Sequence, residues 1–222
     1  MDTPTAQIAA EEAALLQGWR AGDPRTLERL YLRYSRIVLR FLATKVRDDQ
    51  EAEDLLHDTF LALRGVAPPT RDGPGFRLRT YILGVARNVF LNHLRARHRR
   101  SQRELDFNEV RLCELDVGLS SIVRAGEQAH AFLEALREIA IDDQILLELK
   151  YFEGLTSDEI AAILDVPPTV MPGRITRAKA RLHGLLFARL NAGQDPDHEQ
   201  KLERWAGEAV AALRRQRREP RP

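Results

Sequence analysis

Apolar positions recur along this chain at intervals of three and four residues, the spacing of helices that bury one stripe. Leu27, Leu30, Tyr31, Tyr34, Val38, Phe41 and Leu42 form such a stripe behind Asp23-Pro24. That pair suits a helix start, because Asp accepts from free N–H groups and Pro fits the first turn. A second helix is expected to begin near Asp48 or Asp49 and to bury Ala52, Leu55, Leu56, Phe60 and Leu63. Gly65 to Gly75 holds three Gly and three Pro, which makes it a loop. The pattern resumes from Phe76 through Tyr81, Ile82, Val85, Val89 and Leu94, and ends in the Arg95–Arg100 cluster.

Residues 101–126 lose the period and read as a linker. Helical spacing returns at Phe132, Leu133, Leu136 and Ile139, then at Ile145, Leu146 and Leu149 behind Asp142, a capping candidate, with Gly154 as the stop. Thr156 and Glu159 have the spacing of a capping box ahead of a short helix, Asp158–Leu164. The break Asp165-Val166-Pro167-Pro168 leads into a basic helix running to about Leu190, which completes a helix-turn-helix pattern. After a second linker, 191–197, residues 198–218 form an amphipathic helix with Leu202, Trp205, Ala209 and Leu213 on one face. No alternating strand pattern of useful length occurs. The expected fold is all-α: two small helical domains, 1–100 and 126–190, joined by an acidic flexible linker over 101–125. The second domain is the helix-turn-helix, and 191–222 adds a linker and a C-terminal amphipathic helix.

Composition narrows the function classes. With 222 residues, 44% of them apolar and 30% charged, the chain is long enough for real cores and too apolar for a disordered tail. Cys113 is the one cysteine, so an internal disulfide and a cysteine-rich zinc site are both excluded. The start lacks the basic flank and apolar core of a leader peptide, and no run approaches the roughly 18 apolar residues of a membrane span. The expected compartment is a reducing cytoplasm. Net charge is +1, which argues against a polyanionic partner until it is resolved along the chain. Residues 76–103 hold eight basic and no acidic side chains, 104–165 hold four and fifteen, and 166–194 hold five and none. Two acid-free basic blocks around an acidic stretch suggest nucleic-acid contact, although a solvated charged face would look the same.

Each basic block has its own character. In the later one, Arg174, Arg177, Lys179 and Arg181 point one way while Ile175, Ala178 and Leu182 point the other. A recognition helix needs that division, and so does a packed hairpin with a solvated basic face. The earlier block interleaves Arg77, Arg79, Arg87, Arg95, Arg97, Arg99 and Arg100 with Phe76, Tyr81, Asn88, Phe90, Asn92 and His93. Cations supply backbone affinity, while aromatics and amides can stack on or hydrogen-bond to unpaired bases. The Gly/Pro loop before it could take an extruded base. Tyr81 and Phe90 could equally be core residues, and for Phe90 the core is preferred.

Four segments, in order, resemble a known family. They are Glu53-Asp54-Leu55-Leu56-His57-Asp58-Thr59-Phe60, Tyr81-Ile82-Leu83-Gly84-Val85-Ala86-Arg87-Asn88, Asp158-Glu159-Ile160-Ala161-Ala162-Ile163-Leu164 and Arg177-Ala178-Lys179-Ala180-Arg181-Leu182. Together they resemble the bacterial extracytoplasmic-function (ECF) sigma factors, over about residues 8–100 and 126–190. The resemblance implies a subunit that binds core RNA polymerase and directs it to promoter DNA, with an anti-sigma factor as an open further partner. Asp54, His57, Asp58 and Phe60 would dock the polymerase, and six acids among residues 48–58 suit a basic partner surface. Arg77, Arg79, Tyr81, Arg87, Asn88, Asn92, Arg95 and Arg97 would handle the −10 element, Arg174, Arg177, Lys179 and Arg181 the −35 element. The acidic linker would follow the polymerase's RNA path. Three departures stand out. Tyr81-Ile82 replaces Trp-Leu, Asn92 replaces a frequent Asp, and Val170-Met171-Pro172-Gly173 replaces Thr-Val followed by a basic residue. The last removes phosphate contacts, so −35 recognition is expected to be weakened or altered, with Pro172 tolerable only in the first helical turn.

Two rival classes fit parts of the sequence. Asp54-x-x-His57 and Glu127-x-x-His130 echo a di-iron spacing, but no inward carboxylate pair completes the site. No nucleophile elbow, phosphate loop or metalloprotease motif is present, so no enzyme, metal, cofactor or small-molecule substrate is expected. A stand-alone helix-turn-helix factor would need only the second domain, and duplex binding leaves the apparatus for unpaired bases unexplained. The final helix has three readings: packing on the second domain, binding a regulator, or contact with an anionic surface through Arg214–Arg218.

Overall fold

In a computed structural model, described over residues 3–66, 77–98, 105–115, 127–190 and 198–215, every long element is a helix. They are α1 (Thr3–Arg20), α2 (Pro24–Ala43), α3 (Asp49–Gly65), α4 (Leu78–His98), α5 (Glu127–Arg137), α6 (Ile141–Tyr151), α7 (Ser157–Leu164), α8 (Met171–Leu190) and α9 (His198–Arg215). Most of the expected Gly65–Gly75 loop, Phe76, Arg99, Arg100 and the end of the last helix lie outside the described residues, as do the side chains of Leu202 and Leu213. Among the described residues no helix is long and apolar enough to cross a membrane.

The start signals read from the chain operate as expected. The Asp23 carboxylate accepts from Arg25 N–H at 3.0 Å and from Thr26 Oγ1 at 2.9 Å, and Asp48 accepts from Gln50 N–H at 2.9 Å. α1 has no counterpart in the periodicity reading, because among its described side chains only Leu15, Leu16 and Trp19, near its end, reach the core. It closes against α2 through Asp23 N–H donating to the Gly18 carbonyl, with Gly22 at a positive φ of 72°. Gly18 is required there: a Cβ would collide with Thr26 Oγ1.

α1 to α4 enclose one core around Leu30, Tyr34, Val38, Leu42, Leu63, Ile82, Leu83 and Phe90, all of them buried. Phe90 is a core residue with no exposure, as preferred from the sequence. α5 to α8 enclose a second core around Phe132, Leu136, Ile145, Leu149, Ile160, Ala178 and Leu182. α9 lies on α5, burying Trp205, Ala206, Ala209 and Val210, with Trp205 6.5 Å from Phe187 of α8. Packing on the second domain, one of the three readings of its amphipathicity, is therefore what the described part of this helix does.

Two expectations change. The linker is not a free tether throughout: between 105 and 115 it is docked, burying Phe107 and Leu112, with Arg111 bridged to Ala140. Asp142 is not the cap of α6; Ala140 holds that position without a side-chain bond. The physical reason is that the linker does the capping. Ile141 N–H donates to the Val110 carbonyl and Asp142 N–H to the Phe107 carbonyl, both at 3.0 Å, satisfying donors that a helix start leaves open. The Asp142 carboxylate is thereby left for other partners.

The two cores are in contact, and their apolar residues form one cluster. α4 rests on α7, and α6 meets the residues just after α2 through a polar junction. Lys45, with no exposed surface, is ion-paired to Glu148, which is also buried, and donates to the Phe41 carbonyl. Thr44 Oγ1 donates to Glu148 at 3.0 Å and Arg137 to the Thr44 carbonyl at 3.0 Å. Burial pushes the Lys45 ammonium below the ordinary lysine value, and Glu148 opposes that shift.

A buried ion pair costs most when half of it is removed. Glu148→Ala is expected to lower stability by about 3–5 kcal/mol, and Lys45→Met with Glu148→Leu to recover a large part, in denaturant unfolding. Gly18→Ala is expected to cost about 1–3 kcal/mol through the forced overlap with Thr26.

Candidate nucleic-acid interface

On α3 the helical period separates an inner face, with Leu55, Leu56, Thr59 and Leu63 buried, from an outer one. Asp54, His57 and Asp58 are on the outer face and exposed, joined by Leu61, which is 62% exposed. Gln50 Nε2 donates to Asp54 at 3.0 Å, and the His57 ring lies against the Glu53 carbonyl. Phe60 is half-buried, edge-on to Tyr31 at 5.0 Å, with Tyr31 also beside His57. The patch mixes carboxylates with an uncovered leucine, a composition suited to a basic protein surface with an apolar centre. Among the described residues no group of His, Cys, Asp and Glu is placed to hold a metal.

α4 carries the first set of basic candidates and divides it in two. Asn88, Asn92, Arg95 and Arg97 are exposed along its second half. Arg95 donates to Asn92 and sits over the Phe107 ring at 4.9 Å, while Arg97 and His93 both reach Glu51 of α3. The first half is turned toward the second domain. Arg79 donates to the Glu153 carbonyl at 3.2 Å, Thr80 to Glu159 at 3.4 Å, and Arg87 is paired with Asp142 at 2.6 Å. Arg77 lies 3.9 Å from Glu12 of α1. Tyr81 is half-buried and edge-on to Trp19 at 5.8 Å, so burial raises its phenol above the ordinary value. The α4 residues expected to act on one ligand thus face two directions.

The helix-turn-helix is built by local rules. Thr156 and Glu159 form the reciprocal capping box at the start of α7, with Glu159 N–H donating to Thr156 Oγ1 at 3.3 Å and Thr156 N–H to Glu159 at 2.9 Å. Asp165 ends α7 in the left-handed region, φ 55° and ψ 48°, a conformation Asp tolerates better than most residues. A single 3-10 turn, Pro168–Val170, then leads into α8, whose second residue is Pro172. That is the first-turn position in which proline loses no bond. Met171 is the buried anchor of this start, while Val170, Pro172 and Gly173 are at the surface.

From α8, Arg177 is exposed and Lys179 lies 5.9 Å above the Tyr151 ring. Arg174 is held: it donates to Asp143 at 3.3 Å and to Asn108 at 3.1 Å, and lies 3.8 Å from Asp142. Arg181 is paired with Asp143 at 2.5 Å although its side chain is 58% exposed. Sequence reasoning missed the acids that collect these arginines, Asp142, Asp143 and Glu153, together with Arg40, which binds Glu153 through two nitrogens at 2.5–2.9 Å. The only signal was the acid excess of 104–165, and it does not say which acid meets which base.

Comparison with known proteins covers both domains. Residues 30–100 match Sigma-70 region 2 and residues 129–182 match Sigma-70, region 4. The chain is 30% identical over 161 residues to the ECF RNA polymerase sigma factor BldN of Streptomyces coelicolor, covering 70% of this chain and 58% of that one. It is 26% identical over 176 residues to the RNA polymerase sigma-H factor of Pseudomonas aeruginosa, covering 76% and 90%. Among solved structures, the fold is similar to the sigma factor RpoE in complex with the anti-sigma factor NepR from Bartonella quintana, with a TM-score of 0.55, 20% identity, and 75% and 98% of the two chains covered. It is equally similar to CnrH in complex with the cytosolic domain of CnrY, TM-score 0.55, 18% identity, 80% and 97% covered.

The division of α4 has a measurable consequence. Asn88→Ala and Asn92→Ala should leave thermal stability within about 0.5 kcal/mol of the parent, as exposed positions do. Arg87→Ala should cost about 1–3 kcal/mol in the same melt, because it takes the guanidinium of α4 away from the buried Asp142 carboxylate.

Proposed function

We propose that this chain, which belongs to the extracytoplasmic-function group of the sigma-70 family, binds core RNA polymerase and directs promoter-specific initiation. It acts as a non-catalytic DNA-binding subunit. The observation that carries the reading is the order of the two matched regions, which fall on α2–α4 and on α5–α8 and each end in one of the two acid-free basic blocks.

The roles follow from chemistry. The outer face of α3, with Asp54, His57, Asp58, Phe60 and the uncovered Leu61, docks the polymerase. α4 captures the −10 element: Arg95 and Arg97 neutralise backbone phosphate, Asn88 and Asn92 offer amides to unpaired bases, and Arg77, Arg79, Tyr81 and Arg87 extend that surface toward the helix start. α8 reads the −35 element in the major groove through Arg174, Arg177, Lys179 and Arg181. Its start, Val170-Met171-Pro172-Gly173, offers no hydroxyl or cation to phosphate, so upstream contact is weak or shifted in preference. An anti-sigma protein is a further partner on this reading, in keeping with the RpoE–NepR complex of similar fold.

Reconstitution with core polymerase on a library of promoter fragments tests the reading. Discrete start sites that depend on this chain are expected; failure to bind core would leave a stand-alone duplex-binding factor. Asp54→Arg with Asp58→Arg should weaken core binding by roughly tenfold or more, while the exposed positions leave the melting temperature unchanged. A footprint of the assembled complex should show ordinary protection around −10 and weak protection around −35.

A further inference from the structure

Three of the basic side chains assigned above to promoter contact converge, in this structure, on two adjacent carboxylates at the start of α6. Asp142 binds Arg87 of α4 at 2.6 Å and lies 3.8 Å from Arg174 of α8. Its neighbour Asp143 binds Arg174 at 3.3 Å and Arg181 at 2.5 Å. The two carboxylates retain only 11% and 7% of their side-chain exposure. Adjacent anionic groups, each accepting from guanidinium nitrogens, present what a pair of backbone phosphates presents to the same arginines.

The rest of the fold maintains this arrangement. The linker carbonyls of Phe107 and Val110 fill the first N–H groups of α6, so neither carboxylate is consumed as a cap. The start of a helix favours negative charge, which lowers the cost of placing two acids side by side. At the far end of α6, Glu153 accepts two nitrogens of Arg40 with side-chain exposures of 4% and 13%, and its carbonyl accepts from Arg79. α6 is thus bound at both ends to the first domain while holding α8 at one of them.

We propose that Asp142 and Asp143 are an internal substitute for DNA phosphates, closing the two DNA-facing helices on each other in the free chain until promoter DNA on the polymerase displaces them. This deepens the function proposed above and rests on α4 and α8 being the DNA-facing helices. The exposed Arg177, Arg95 and Arg97 remain for a first weak encounter, while the part-buried Arg87 and Arg174 become available only on opening and Arg181 exchanges Asp143 for phosphate.

Binding of the full chain, without polymerase, to a short fluorescent DNA duplex reads this directly. Asp142→Asn with Asp143→Asn should tighten binding by about tenfold at low salt. It should also steepen the slope of log affinity against log salt by between about two and three, for three more phosphate contacts. Arg40→Gln with Glu153→Gln, which removes no side-chain partner of an arginine assigned to DNA, should change both quantities in the same direction, and carries the test if the first variant does not fold. Affinity and salt slope equal to the parent's in variants that melt cooperatively would overturn the proposal. Core polymerase separates the two levels. Transcripts from parent and variants with unchanged free-chain binding would sink the internal substitute alone. Tighter free-chain binding without transcripts would sustain it and overturn the sigma reading.

Discussion

An acidic helix buried between two domains is the constraint on which this structure turns. Residues Ile141 to Leu149 of α6 are all buried, and that stretch includes Asp142, Asp143 and Glu148, with Glu153 just beyond the helix end. Buried carboxylates are tolerated only when cations reach them. The cations come from everywhere around: Lys45 and Arg40 near the end of α2, Arg87 on α4, Arg174 and Arg181 on α8. The relative placement of the domains is the geometry that satisfies all four acids at once.

That constraint sorts the polar residues into two populations with different uses. Asp54, His57 and Asp58 on α3, and Asn88, Asn92, Arg95 and Arg97 on α4, stand at the surface. The arginines nearer the domain junction are partnered within the chain, where pairing in a partly dehydrated site is stronger than at the surface and is screened less by salt. A near-neutral total charge and internally held arginines act together. On the proposed reading both would keep the free chain from engaging bulk DNA, whose non-specific binding follows the number of phosphates neutralised.

Two segments outside the matched regions support this arrangement. Residues 105–115 cap α6 with backbone carbonyls and bury Phe107 and Leu112, so a piece of linker sets the orientation of the acid pair. α9 covers α5 with Trp205, Ala206, Ala209 and Val210, which closes an apolar face of the second domain. Both act through local burial, and neither carries a residue assigned to DNA.

What the sequence determined by itself was everything governed by local periodicity and capping. The starts at Asp23 and Asp48, the Thr156–Glu159 capping box, the break at Asp165 and the all-helical architecture were legible because each depends on residues within a turn or two of one another. The family was legible for the same reason, as short ordered segments. α1 escaped because Leu15, Leu16 and Trp19, the buried residues among those described in it, sit together near its end and make no stripe, and Asp142 was misread as a cap because the competing carbonyls, Phe107 and Val110, are distant in sequence, in the linker. Which acid meets which base was decided only by tertiary structure. Charge acts through space, and an excess of fifteen acids over four bases in 104–165 is compatible with many pairings until burial of α6 selects one.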